Sequence, residues 1–232
     1  MIDYELKNID IDDISDVLVK VEKSFDIKFE NDELEHITTF GELCDHIANK
    51  IKLDLSYDCT TQQAFYKLRN AISSTLKIDS NTISTDFPLI DLFPRENRRT
   101  MIAELERYLG FKLNILRPPH WVSGMLSILF LVSLLFLILL VPFVGLRLYW
   151  RIGVLGLLIS IGGLKFSYKI GNELDLQTVG QIAEKATREN YLKSRRNSKT
   201  FNKNEIEKVL TDLFSNDLGL DKSILKREAK FN

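Results

Sequence analysis

The chain is poor in the residues that build disulfide frameworks and metal centres. It has two cysteines, Cys44 and Cys59, which form no CxxC pair, and three scattered histidines, His36, His46 and His120. A disulfide scaffold or a structural zinc site needs more ligands at closer and more regular spacing. The sequence therefore predicts free thiols, no metal site and a cytoplasmic environment for the segments that contain the two cysteines.

The chain also lacks the short motifs that accompany catalysis and nucleotide binding. It contains no glycine-rich phosphate loop, no nucleophile elbow and no paired-acid signature. An acidic cluster, Asp10, Asp12, Asp13 and Asp16, lacks the glycine and the terminal glutamate of an EF-hand calcium loop. We interpret it as a solvated helix start, where acids favour the positive end of the helix dipole. We expect no enzymatic activity, no cofactor and no nucleic-acid partner.

Charge itself is absent from one long stretch. No charged side chain occurs between Trp121 and Leu146, although the chain has 31 basic and 32 acidic residues. After a short link, residues 147–151, a second apolar run covers residues 152–166. About 20 apolar residues in a helix cross the hydrocarbon core of a bilayer, so residues 121–166 are predicted to form a transmembrane hairpin. A buried core helix is the less favoured alternative, because such helices rarely stay apolar on all sides.

The second span is short for a membrane. Residues 152–164 cover only about 20 Å at 1.5 Å per residue. This span therefore either extends into residues 144–150 or packs closely against the first span. Small residues let membrane helices approach closely, and the span contains Gly153, Gly156, Gly162 and Gly163.

Basic residues at the ends of the spans indicate the topology. Arg117, Lys165 and Lys169 flank the hairpin on the side of the termini, against Arg147 and Arg151 in the connection. Because cytoplasmic flanks are enriched in Lys and Arg, we predict a two-pass protein of the inner or cytoplasmic membrane with both termini in the cytoplasm.

Outside the hairpin the sequence predicts short amphipathic helices, and therefore an all-α fold. Apolar residues recur at helical spacing in residues 17–25, 40–47, 60–76 and 100–109. Thr38 or Thr39 can cap the second of these helices, and Gly110 suits the position after the end of the fourth. Residues 79–92 are predicted to form a loop, since Pro88 excludes a regular helix around it.

The soluble segments contain two kinds of half-repeat. Residues 19–47 match residues 103–116 followed, after the hairpin, by residues 172–186. Residues 67–93 match residues 205–231. In both members of the second kind, a helix is followed by a similar bend and an acidic turn.

These segments resemble the acyl carrier protein family, a small four-helix bundle. Residues 16–47, with FDIKF followed by ITTFGEL, are similar to the second helix, the turn after it and the last helix of that family. Residues 61–92 are similar to its first helix and long loop, and residues 94–116 to its second helix. The resemblance implies one carrier-like domain, residues 60–118 plus 172–190, that is split by the inserted hairpin.

The two ends of the chain complement each other under this resemblance. Residues 1–52 hold a second half without a first, and residues 200–232 hold a first half without a second. Fragments of this size bury too little surface to fold alone. We therefore predict that they pair as one circularly permuted bundle, either within a chain or by segment exchange in a homodimer.

The charges of the two ends favour this pairing. Residues 1–60 carry 16 acidic and 6 basic residues, whereas residues 185–232 carry 12 basic and 7 acidic ones. Opposite fields help such halves to meet, although they do not determine a fold. Residues 191–203 are interpreted as a basic linker, either flexible or in contact with anionic lipid headgroups.

In the carrier family, a serine in an Asp-Ser-Leu triplet at the start of the second helix holds 4′-phosphopantetheine. Alignment without gaps puts Ile11 at this serine position in one bundle and Arg95 in the other. Ser15 lies one helical turn beyond Ile11 but lacks the triplet, so we interpret it as a solvated helix residue. The resemblance therefore implies carrier-like domains without the prosthetic group.

Two functions fit this combination. The first is a membrane-anchored, non-catalytic scaffold whose carrier-like bundles dock a protein partner. The second is an accessory factor of acyl-chain or lipid metabolism that holds an acyl carrier or its enzyme at the bilayer; a true acyl carrier, which would use Ser15, is a weaker third. The candidate partner-binding residues are Asp10, Asp12, Asp13, Asp16, Arg95, Arg98 and Arg99.

Overall fold

The computed structural model describes residues 10–139 and 147–231, without the side chains of residues 11, 139 and 147–149. Within these ranges the chain is mostly helical, in agreement with the predicted class. The helices are α1 (Ile11–Phe25), α2 (Phe40–Lys50), α3 (Thr60–Leu76), α4 (Leu89–Leu92), α5 (Arg98–Leu109), α6 (His120–Leu139), α7 (Arg147–Ile170), α8 (Val179–Glu189), α9 (Tyr191–Ser194) and α10 (Ile206–Leu218). Short strands pair in parallel as β1 (Asp54–Leu55) with β4 (Thr200–Phe201), and antiparallel as β2 (Leu116–Arg117) with β3 (Glu173–Leu174).

The chain divides into two compact units. The first contains the residues up to Phe87, Glu104–Leu113 and those from Thr178 onward; the second contains Pro88–Ala103 and Asn114–Gln177. We call them the helical unit and the hairpin unit.

Local sequence signals determine several helix ends. Thr39 and Glu42 form a capping box at the start of α2, in which each side chain accepts a hydrogen bond from the backbone of the other residue. This arrangement satisfies N–H groups that the first turn leaves unpaired. Gly110 follows α5 with a φ of 77°, a conformation that glycine adopts at no steric cost. The predicted helix cap at Thr39 and the predicted helix end at Gly110 are both confirmed.

The core of the helical unit is built from both ends of the chain. Val21 and Phe25 of α1 and Phe40 of α2 lie in one hydrophobic cluster with Leu210 and Phe214 of α10. The remaining fully or nearly buried members are Val17, Leu43, Cys44, Ile47, Ala48, Ile51, Tyr191, Leu192, Phe201, Ile206, Val209, Leu213, Leu225 and Ala229. Burying each large apolar side chain contributes about 1.5–3 kcal/mol.

Backbone hydrogen bonds join the same segments. The N–H groups of Phe40 and Gly41 donate to the carbonyl oxygens of Ala229 and Arg227 at 2.8 and 2.9 Å. The carbonyl of Thr38 accepts from Phe231 at 2.9 Å. A Cβ added at Gly41 would approach the backbone of Arg227 to 2.9 Å, so glycine permits this close contact.

The ends of α3 and α10 have the same local geometry. Lys77 after α3 and Gly219 after α10 both adopt left-handed conformations, with φ of 56° and 65°. Ser73 Oγ donates a 2.6 Å hydrogen bond to the carbonyl of Ile78, and Ser215 Oγ donates a 2.7 Å bond to that of Leu220. One sequence half-repeat thus coincides with a repeated helix end.

The starts of α2 and α8 also have matching geometry. Thr178 and Gln181 form a capping box at α8, as Thr39 and Glu42 do at α2. The N–H groups of Val179 and Gly180 donate to the carbonyls of Phe87 and Thr85 at 3.1 and 2.7 Å. These bonds parallel the ones that Phe40 and Gly41 donate to Ala229 and Arg227.

Two predicted irregular segments are more ordered than expected. Residues 79–92, predicted to be a loop, contain a 3-10 turn at Ser80–Thr82 and the one-turn helix α4, which Pro88 precedes. Residues 191–203, predicted to be a basic linker, contain α9 and β4, and Tyr191 and Arg195 are almost fully buried. The linker prediction is wrong because distant polar groups, Thr60 and Glu205, contact the buried guanidinium of Arg195 through its Nη1 atom.

The hairpin unit contains α6 and α7, which pack against each other. Both are long and apolar enough to cross a membrane, over His120–Ile138 and Trp150–Ile170. Residues 147–151, predicted to be a link, belong to α7, so the second span is not short. The rest of the predicted connection, residues 140–146, lies outside the described residues, as do residues 1–9 and 232.

Glycines allow close contact between α6 and α7. A Cβ at Gly153 would lie 2.5 Å from the side chain of Leu137, and one at Gly163 would lie 2.9 Å from Leu126. A Cβ at Gly156 would overlap the side chain of Ser133, whereas one at Gly162 would meet open space. Three of the four predicted interface glycines therefore face the partner helix, and Gly162 does not.

Candidate functional site

The acidic cluster lies on the first turns of α1. Asp10 is the N-cap residue, and its carboxylate accepts a 3.3 Å hydrogen bond from the N–H of Asp12. Asp12, Asp13 and Asp16 are exposed, as predicted for a solvated helix start. Val19, one turn after Asp16, is also exposed, with 61% of its surface accessible. This face, Asp12, Asp13, Asp16 and Val19, is called the acidic face.

The two serine positions of the resemblance differ in environment. Ile11 is the first residue of α1, but its side chain lies outside the described part. Ser15 is exposed on the next turn. Arg95 lies in the turn before α5, where its guanidinium forms a 2.6 Å ion pair with Glu173. The side-chain amide of Asn172 donates to the Arg95 carbonyl at 2.8 Å.

Arg98 is not on the surface. It is only 4% exposed, and its guanidinium donates to the carbonyl oxygens of Phe93 and Asn172 at 2.8 and 2.6 Å. The prediction that Arg98 binds a partner is therefore wrong, because its donors are used to hold two segments of the hairpin unit together. Arg99 is exposed and donates to the carbonyl of Lys169 at 3.2 Å.

A second charged cluster joins α2 to the loop before it. The carboxylate of Glu33 lies 2.6 Å from Lys50 Nζ and 2.7 Å from His46 Nε2. Hydrogen bonds from the Lys50 ammonium, the Glu30 N–H and His46 lower the pKa of Glu33 from 4.5 to about 2. Phe29 lies beside this cluster, with the Lys50 ammonium 5.8 Å from the centre of its ring. The cluster holds the loop before α2 against that helix.

Sequence reasoning missed a buried polar network in the helical unit. Arg195 Nη1 contacts the hydroxyl of Thr60 and lies 3.8 Å from a carboxylate oxygen of Glu205. Glu205 accepts hydrogen bonds from the Thr60 N–H at 3.0 Å and the Thr60 hydroxyl at 2.6 Å, and from the Tyr191 hydroxyl at 3.2 Å. Thus Glu205 caps the start of α3 from the segment that leads into α10.

This network is a structural connection. Burial raises the pKa of the Tyr191 hydroxyl, and the Tyr191 ring lies 5.0 Å from that of Phe25 in the shared core. Removing one member of a buried charge pair leaves the other uncompensated, at a cost of about 3–5 kcal/mol. The only sequence signal was the presence of Tyr191 and Arg195 in a segment interpreted as a linker, with Glu205 just after it.

A groove of about 930 Å³ runs along the helical unit beside α3, α8 and α10. Phe65, Tyr66 and Val209 contribute apolar surface, and Gln62 and Thr187 contribute polar groups. Cys59, Glu184 and Lys208 are also among its lining residues.

The described residues hold no group of three or more His, Cys, Asp or Glu side chains that could bind a metal ion. Cys44 is buried, and burial raises the pKa of its thiol to about 12. Cys59 is exposed just before α3. Both are free thiols, as predicted.

Comparison with known proteins gives no assignment. No protein-family model, no curated protein sequence and no solved structure matches this chain.

Proposed function

We propose that this protein is a membrane-anchored, non-catalytic scaffold built from two acyl-carrier-like bundles that have lost the prosthetic-group serine. One bundle combines α10 and the residues after it with α1 and α2. The other combines α3 and the residues after it with α5 and α8, and the membrane hairpin is inserted between those last two helices.

The repeated geometry carries this proposal. Ser73 lies 12 and 14 residues before the two carbonyls that accept hydrogen bonds from the start of α8. Ser215 lies at the same intervals before the two carbonyls that accept hydrogen bonds from the start of α2. A third correspondence follows α1 and α5, where Glu22 accepts from the Phe29 N–H and Glu106 accepts from the Leu113 N–H, at 2.6 and 2.8 Å. Duplication of one bundle explains all three correspondences.

The shared core supports the permuted arrangement. Neither the segment of α1 and α2 nor the segment of α10 is long enough to bury a core alone. Together they bury Phe25, Phe40, Leu210 and Phe214 in one cluster. Circular permutation is tolerated where chain termini lie close to each other at the surface.

The absence of the serine argues against carrier chemistry. A phosphopantetheine arm needs a hydroxyl on the protein to form its phosphodiester. Isoleucine and arginine supply none at positions 11 and 95, and the Arg95 guanidinium is engaged with Glu173. The bundles then function as binding modules.

The acidic face of α1 is the docking surface that we assign to the scaffold. Three exposed carboxylates lie on the turns before an exposed valine, which suits a basic partner surface that also buries an apolar group. Electrostatic complementarity of this kind increases association rates and selects partners. The hairpin would hold this surface near the bilayer, with both termini in the cytoplasm.

The loss of carrier function is tested by incubating the protein with a promiscuous phosphopantetheinyl transferase and coenzyme A. We expect no increase in the intact mass, while an active carrier protein in the same reaction is modified. A mass increase that disappears in Ser15→Ala would overturn the proposal and restore the carrier hypothesis.

The docking surface is tested by capture from membranes in mild detergent. The variant Asp12→Asn/Asp13→Asn/Asp16→Asn should lose the partners that the wild-type protein retains at low salt. The control Glu35→Gln/Asp54→Asn/Asp91→Asn removes the same charge from exposed positions elsewhere and should retain them. Equal capture by both variants would show that the acidic face is not the docking surface.

A further inference from the structure

A cavity of about 580 Å³ lies in the hairpin unit where α6 begins and α7 ends. Arg117, Asp175, His120, Ser123 and Tyr168 are among its lining residues. Its volume falls within the range of about 300–1,000 Å³ that is usual for small-ligand pockets. We call it the headgroup cavity.

The position of this cavity restricts what can reach it. His120 begins the apolar helix α6, and Tyr168 lies in the last turn of α7. Tyr168 in the cavity lining and Trp121, which follows His120 in α6, are both exposed, and such aromatic side chains favour the level of the lipid headgroups. If the hairpin spans the bilayer, as proposed above, the cavity opens among phospholipid headgroups.

The charges in the cavity have a specific pattern. Arg117 Nη1 lies 3.0 Å from a carboxylate oxygen of Asp175, and both side chains are more than a third exposed. Arg117 Nε is buried and has no hydrogen-bond acceptor in the structure. A guanidinium has five N–H donors in a planar array that suits phosphate oxygens. The buried Nε does not reach the cavity, but the side chain is more than a third exposed, so its Nη groups can contact a phosphate while Nη1 pairs with Asp175.

We propose that the headgroup cavity binds a zwitterionic phospholipid that carries a primary ammonium group. The phosphate contacts Arg117, and the ammonium donates hydrogen bonds to Asp175. A headgroup with net negative charge would place an uncompensated anion beside Asp175. A choline headgroup has no N–H to donate and loses the charge-assisted hydrogen bond to the carboxylate.

The experiment is native mass spectrometry of the full-length protein in detergent, titrated separately with phosphatidylethanolamine, phosphatidylcholine and phosphatidylglycerol of matched acyl chains. We expect the wild-type protein to bind phosphatidylethanolamine most tightly, by about tenfold, the size expected for one hydrogen bond to a charged group. Arg117→Gln should weaken this binding by about tenfold. Asp175→Asn should remove the preference over phosphatidylcholine.

A matched control is Lys165→Gln, which removes one positive charge from an exposed site near the same end of α7, outside the cavity. This variant should keep the wild-type preference. The proposal is overturned if the three lipids bind equally, or if Lys165→Gln has the same effect as Arg117→Gln. If the protein binds soluble phosphoethanolamine but shows no preference among the three lipids, the ligand of the cavity is not a membrane lipid.

Failure of the headgroup proposal is distinguishable from failure of the membrane anchor. Alkaline carbonate extraction of membranes that contain the wild-type protein tests only whether the hairpin is integral to the membrane. Release into the soluble fraction would refute both proposals. Retention without a lipid preference would refute only the headgroup cavity.

Discussion

The backbone N–H of Phe40 donates a 2.8 Å hydrogen bond to the carbonyl oxygen of Ala229. This bond joins the first residue of α2 to the C-terminal segment, 189 residues further along the chain. It lies at the edge of a core to which both segments contribute. The pairing of these two segments completes the core of the helical unit.

Replacing Phe25 with alanine should destabilise the helical unit. Phe25 is 1% exposed and packs on Tyr191, so its truncation should cost about 3–5 kcal/mol. Pulse proteolysis in a urea series measures the free energy of unfolding. Val19→Ala on the exposed side of the same helix should change it by no more than about 0.5 kcal/mol. Similar losses for both variants would contradict the burial of Phe25.

Replacing Gly156 with alanine should weaken the hairpin. The new Cβ would overlap the side chain of Ser133, and overpacking of this kind costs about 1–3 kcal/mol. Unfolding in mixed detergent micelles, followed by circular dichroism, reports the effect. Gly162→Ala meets open space and should be neutral. A larger loss of stability in Gly162→Ala than in Gly156→Ala would contradict the described packing of α6 against α7.

Acid should destabilise the loop before α2 through Glu33. The folded state lowers the pKa of Glu33 to about 2 from 4.5, so the ionised carboxylate stabilises the fold above pH 4.5. This contribution is lost as the pH falls from 4.5 towards 2. In denaturant titrations, Glu33→Gln should show a smaller loss of stability across this window than the exposed control Glu35→Gln. Identical pH profiles would exclude this role of Glu33.

The two cysteines should react differently with a thiol reagent. Cys59 is exposed, whereas Cys44 is buried and has a pKa of about 12, so little reactive thiolate forms there. An impermeant maleimide should label opened cells, and not intact ones, if the termini are cytoplasmic. Cys59→Ser should abolish this labelling, and Cys44→Ala should not. Labelling of intact cells would reverse the proposed topology.

Sequence patterns were sufficient where the cause of a structure is local. The helical spacing of Val17, Val21 and Phe25 predicted a helix over residues 17–25, and the structure has α1 there. The cap at Thr39 and the turn at Gly110 depend on a few neighbouring residues, so they were also predicted correctly.

The predictions that proved wrong involve groups whose partners lie far along the chain. Arg195 is buried because its guanidinium contacts Thr60 and Glu205. Arg98 is buried because its guanidinium donates hydrogen bonds to the carbonyls of Phe93 and Asn172. A charged residue in a polar sequence looks solvated unless these distant partners are known. For the same reason, the Arg117–Asp175 pair could not be predicted from the sequence.

The most direct test of the pairing between the chain ends is a disulfide between Thr39→Cys and Lys230→Cys, with Cys44→Ala and Cys59→Ser as the background. Residues 39 and 230 face each other in an antiparallel bridge. The flanking bonds, from Phe40 to Ala229 and from Phe231 to Thr38, make this a non-hydrogen-bonded pair. The Cα atoms of such a pair lie about 4.5 Å apart, within the range for a disulfide.

The control pair is Thr38→Cys with Lys230→Cys, because neighbouring residues of an extended segment point to opposite sides. After mild oxidation, mass spectrometry and non-reducing electrophoresis identify the link. We predict rapid formation of a 39–230 disulfide within single chains, whereas a covalent dimer would indicate segment exchange. A 39–230 link that forms no faster than the control would contradict the pairing of the two ends of the chain.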